Sequence, residues 1–67
     1  MNENQAHWYV VHCATCSIAS EGFASMARAE MEVTEMIRTH KTHYTAFEAQ
    51  LLTDEHAMKM ARFDVKI

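Results

Sequence analysis

His7-Trp8-Tyr9-Val10-Val11-His12-Cys13, followed at once by Ala14-Thr15-Cys16, is the stretch on which the fold turns. Aromatic and β-branched side chains dominate it up to the first cysteine. Such residues suit a pleated, half-buried surface, so 7–13 reads as a strand. Cys13-Ala14-Thr15-Cys16 reads as a tight turn, and Ser17 to Ala24 as the returning strand of a hairpin. Gly22, the single glycine of the chain, marks a bulge or the far end of that return.

Beyond Ser25 the period of the pattern changes. Met26, Ala29, Val33, Met36, His40, His43, Phe47 and Gln50 recur in alternating steps of three and four, one stripe of an α-helix, widened by Ile37, Tyr44 and Leu51. Arg28, Glu30, Glu32, Glu35, Arg38, Lys41 and Glu48 fall on the opposite, solvated face. Ser25 is the expected N-cap, and the helix is expected to run to about Leu52, where Thr53-Asp54 offers an end or a fresh N-cap. Asp54 to Ala61 fits a short second helix. For 45–61 as a whole, one continuous helix and two shorter ones fit the pattern equally well. Arg62-Phe63-Asp64-Val65-Lys66-Ile67 alternates polar and apolar, a strand signature that calls for an edge to pair with. Residues 1–6 are polar and read as a frayed lead-in.

Both cysteines of the chain lie in one C-x-x-C, Cys13 and Cys16, and an H-x-x-H follows at His40 and His43. Two thiolates and two imidazoles form a tetrahedral Zn²⁺ set, and the short cysteine spacing lets one backbone turn aim both sulfurs at one ion. On a helix, residues three apart are neighbours, so His40 and His43 would project together from the stripe that faces the hairpin. The lengths agree. The return from Cys16 to Ala24 covers roughly 25 Å at extended-chain rise. The helix from Ser25 to His40 comes back by about 22 Å. His40 is thereby expected beside the cysteine turn. His12 could replace one helical ligand, but strand alternation points it with Trp8 and Val10, away from Cys13. His7 and His56 read as surface histidines.

Composition sets the bounds. Sixty-seven residues make one domain, here 1–67 as a single zinc-binding domain with a metal core over 7–47 and an extension over 48–67. A chain this short buries only about 60% of its unfolded surface and generally needs a staple or a partner. One structural zinc ion per chain would supply the staple, its binding energy of about 10 kcal/mol becoming folding energy. The 49% apolar and 22% charged content, with no proline, argues against disorder. No apolar run is long enough for a membrane span, and the start, Met1-Asn2-Glu3-Asn4-Gln5, lacks a basic signal region, so a cytoplasmic protein without membrane partners is expected. The net charge of −3 weakens a general nucleic-acid reading.

Cys13-x-x-Cys16, a hydrophobic return strand and a helix carrying His40-x-x-His43 together resemble a C2H2-type ββα zinc finger with enlarged loops. They are also similar to the small stand-alone C-x-x-C…H…H zinc-binding proteins of bacteriophages and their bacterial hosts. The resemblance spans about residues 8–47, and its specific motif is the ligand quartet. It implies a zinc-stabilised module used to bind protein or nucleic acid. The first helical turn, Ser25-Met26-Ala27-Arg28-Ala29-Glu30, is not basic, so no base-contacting role is carried over.

The resulting expectation is an α+β protein, a β-hairpin plus a long helix with a helical and strand extension. A filled quartet leaves no open position for water, no H-E-x-x-H is present, and no Ser-His-Asp or Cys-His set is left once the four ligands are used, so no enzyme is expected. A small regulator or inhibitor docking on a larger protein is favoured by the acidity, by Met58 and Met60, and by the 62–67 edge, which can also pair with a second copy. A nucleic-acid-binding regulator is the alternative, resting on the resemblance and on Arg28, Arg38, Lys41, Lys59, Arg62 and Lys66. Against ligation stand a pair of buried thiols, an adventitious disulfide, and a redox C-x-x-C. The last normally sits at a helix N-terminus within a βαβ unit, which this chain is too short to build.

Overall fold

The computed structural model describes residues 5–63. Five elements follow in order: β1 (Ala6–His12), β2 (Ser17–Ile18), α1 (Met26–His40), β3 (Phe47–Thr53) and α2 (Asp54–Lys59). The strands form one antiparallel sheet in the order β2-β1-β3. The expected hairpin is there, with β1 pairing β2 through Val11↔Ile18 and His12↔Ser17. The return is not one continuous strand, however. Past Ala19, whose N–H bonds the Val10 carbonyl at 2.8 Å, the Ser20 hydroxyl takes the Val10 N–H, and pairing resumes only at Trp8↔Phe23, two residues out of register. Glu21 and Gly22 lie in that bulge. A Cβ on Gly22 would stand 2.8 Å from the Cβ of His7 and 2.9 Å from the Tyr9 ring, so only glycine fits this approach without a shift.

The central strand is covered on both faces, and its neighbours Val10 and Val11 are both buried in consequence. On the face of His7, Tyr9 and Val11, a cluster forms with Ile18, Ala57, Leu52 and Met60, bringing α2 onto the sheet. The opposite face, that of Trp8, Val10 and His12, carries α1, which packs across β1 and β3 and buries Ala29. Ser25 caps α1 as expected, its hydroxyl accepting from the Arg28 N–H at 3.3 Å, and Thr53 caps α2 by accepting from the His56 N–H at 3.1 Å.

The expectation of helix as far as Leu52 is overturned. Helix α1 stops at His40, where Lys41 adopts the left-handed conformation (φ 52, ψ 48) and the Thr42 N–H reaches back to the Ile37 carbonyl, a Schellman closure. After a short connection the chain becomes β3, which pairs with β1 along its whole length, from Phe47↔His12 to Thr53↔Ala6. Phe47, Gln50 and Leu51 satisfy a helical stripe, yet in Phe47-Glu48-Ala49-Gln50-Leu51-Leu52-Thr53 a complete ladder of main-chain bonds outweighs the modest helix preference of Glu, Ala, Gln and Leu. Of the expected C-terminal strand, Arg62 makes a parallel bridge to Ile18, and residues 64–67 lie outside the described residues, as do residues 1–4 of the lead-in. Ala6 belongs to β1.

Candidate metal centre

The cysteine turn leaves β1 at its C-terminal end. The Cys13 N–H donates to the Ala46 carbonyl at 2.9 Å, and the Ala46 N–H to the His43 carbonyl at 3.0 Å. The C-x-x-C turn is therefore tied directly to the connection that carries His43. Helix α1 returns to the same end, with the His40 ring 6.0 Å from that of Phe47, whose strand partner is His12. All four expected ligands thus lie at one end of the sheet.

Their side chains are not closed about one point. Among the described residues, no group of three or more His, Cys, Asp or Glu side chains is gathered closely enough to hold a metal ion. The reason lies in the backbone. Cys13 continues the Tyr9–Val11 alternation, its Sγ 4.0 Å from the Val11 carbonyl, whereas His40 arrives on the opposite face of the sheet. Cys16 turns its Sγ toward the Cys13 carbonyl at 3.8 Å. His43 is not beside His40 on a helix, because the helix has already ended and His43 stands exposed in the connection. Both thiols are free. The donor set fits zinc in its chemistry, and its four members share one end of the sheet but not one face. Convergence on an ion would require the Cys13–Cys16 turn to swing past the sheet edge toward His40, together with movement of the 41–46 connection.

Burial pushes the Cys13 thiol above its ordinary value, with the carboxylate of Glu48 and the neighbouring Cys16 adding to the effect. Proton release therefore opposes ligation at this sulfur. Cys16 carries a different cost, since its φ of 52 puts a non-glycine residue in the left-handed region.

Two groupings in the structure escape the sequence reading. His12, His40, Phe47 and Phe63 form an aromatic cluster at the site end, with His12 5.0 Å from Phe47 and 4.5 Å from Phe63, and the two phenylalanine rings set edge-on at 5.4 Å. The His12 Nδ1 also lies 2.7 Å from the Thr15 hydroxyl, bracing the turn. At the far end of the sheet, His7 Nδ1 and the Tyr9 hydroxyl both donate to Asp54 Oδ1, each at 2.8 Å. His7 is thus a half-buried partner of Asp54 and not a plain surface histidine. With the two residues 47 positions apart in sequence, no local signal could announce the pair.

Compared with protein families, with curated proteins and with solved structures, the chain matches none. No helix among the described residues is long and apolar enough to cross a membrane.

Proposed function

We propose that this chain is a non-enzymatic binding module, stabilised by one zinc ion on Cys13, Cys16, His40 and His43, that docks on a larger protein in the cytoplasm. The observation that carries the reading is the main-chain bond from Cys13 to Ala46, which holds the C-x-x-C turn against the segment bearing His43 while both thiols stay free. The left-handed backbone at Cys16 supports it too. A position that would cost glycine nothing costs another residue roughly 1–2 kcal/mol, and the sequence spends this on a thiol. Zinc held there by four protein ligands is structural, because no coordination position is left for water or substrate. A reducing compartment keeps both thiols available to the metal.

Docking on protein is favoured by the net charge of −3 and by apolar side chains standing in solvent, with Tyr44 and Met58 each 83% exposed. Met58 and Met60 divide as their spacing requires, Met60 packing into the α2 cluster and Met58 pointing outward. Native mass spectrometry of protein purified without added metal tests the metal half of the reading. One zinc per chain is expected, and its loss from Cys16→Ser and from His40→Ala. A folded, metal-free chain lighter by the hydrogens lost in a disulfide would replace the zinc reading with a thiol–disulfide one. A salt-sensitive shift of random duplex DNA would move the partner from protein to nucleic acid.

A further inference from the structure

The two edges of the sheet are built differently. Strand β2 is two residues long, followed by a bulge and flanked by the Arg62 bridge, all devices that blunt an edge. Strand β3 has none of them. It runs seven residues without proline, lysine, arginine or bulge, with Glu48 its one charge, and among the described residues no strand lies on its outer side. Its phase can be read from the two bonds at its ends. Cys13 N–H to Ala46 carbonyl and Asp54 N–H to Gln5 carbonyl both join directly opposed residues, and such bonded pairs recur every second residue. Glu48, Gln50 and Leu52 therefore turn their main-chain groups toward β1. Phe47, Ala49, Leu51 and Thr53 turn theirs toward the open side.

We propose that β3 pairs with the β3 of a second copy, antiparallel about a two-fold axis at Gln50, to make one continuous sheet across a homodimer. This register sets Phe47 opposite Thr53, Ala49 opposite Leu51, and Gln50 opposite itself. Every outward-turned residue of the strand thereby faces another outward-turned residue. The small Ala49 lies across from the large Leu51, which is 55% exposed in the single chain and is covered at two symmetric places in the pair. Glu48 meets Leu52 and not its own copy. The two Glu48 residues stand four steps apart along the strand, about 14 Å, beyond the screening length at physiological salt. Gln50, whose amide already bonds Glu48 within the strand, brings a neutral group to the axis. A two-fold contact of this kind uses the same patch on both copies and closes at two chains. Metal content and molecular mass are measured separately, so the dimer and the zinc site stand or fall independently.

Sedimentation of the full chain, as purified, decides between one copy and two. A species of two chains is expected, and Leu51→Lys, which puts a charge beside the axis at an exposed position, is expected to sediment as one chain with an unchanged circular dichroism spectrum. A single chain at concentrations up to about 0.5 mM would overturn the proposal. So would a dimer that persists in folded Leu51→Lys. Should that variant lose its fold, Gln50→Cys oxidised by glutathione disulfide decides the matter. Directly opposed residues of a wide pair have Cα atoms about 4.5 Å apart, within disulfide reach. A dimer linked through position 50, located by peptide mass, supports the axis, and links only elsewhere refute it.

Discussion

Asp54 joins the start of α2 to β1 through one oxygen. Its carboxyl is held below the ordinary 3.8, first by the bond from His7 and then by the bond from the Tyr9 hydroxyl. Tyr9 is pushed above 10.0, chiefly by burial, then by its bond to Asp54 and by that carboxylate's charge. The signs differ. A lowered carboxyl stabilises the fold fully above its unfolded value, and the contribution is lost as pH falls through the folded one. A raised phenol contributes below its unfolded value and fades as pH rises through the folded one. Asp54→Asn should therefore flatten the acid limb of a stability profile and shorten the delay in tyrosine ionisation at the alkaline end. Urea midpoints from roughly pH 3 to pH 7 measure the first, and an ultraviolet titration the second. Parallel acid limbs in the variant and the unsubstituted chain would show that the bonds to Asp54 do not feed stability.

At the scale of elements, legibility follows locality. The strand from His7 and the caps at Ser25 and Thr53 are readable because each rests on neighbouring residues. So is the helix that returns to the turn end of the hairpin, since its length follows from rise per residue. What is not readable depends on distant chain. The stop at Lys41 uses no glycine, and β3 exists because β1 offers it a full edge. The cluster of His12, His40, Phe47 and Phe63 follows from those two events, so it is hidden for the same reason. The candidate quartet of Cys13, Cys16, His40 and His43 is legible as donor chemistry, whereas the placement of Cys13 and His40 on opposite faces requires the β3 pairing. Lys41 gives the element-scale prediction. Glycine in its left-handed position relieves the side-chain clash, and Lys41→Gly should raise stability by about 1 kcal/mol in thermal or urea unfolding. A loss would mean that the lysine side chain contributes something beyond closing the helix.

For the whole molecule the constraint is the size of the core. Among the described residues, Val10 is the largest side chain wholly removed from solvent, and the other buried apolar residues are Val11, Ile18, Ala29, Phe47 and Ala57. Such a core gives few kcal/mol beyond the entropy of ordering the chain, so a bound metal or a second copy would add materially to its stability. If zinc holds the turn to the helix end, a strong chelator under reducing conditions should lower the melting temperature or abolish the cooperative transition, followed by Trp8 fluorescence, and added zinc should restore it. An unchanged transition would leave the core and the sheet to carry stability alone. The topology also bears on synthesis. Translation delivers β1 before β3, and the strand that completes the sheet comes only after the hairpin, the helix and the connection have been made. Until then a nascent chain presents one flank of its most apolar strand without a mate, and a chaperone or the ribosome surface would be its nearest cover. The interval is fixed by the order of the elements, so slowing elongation lengthens the exposure.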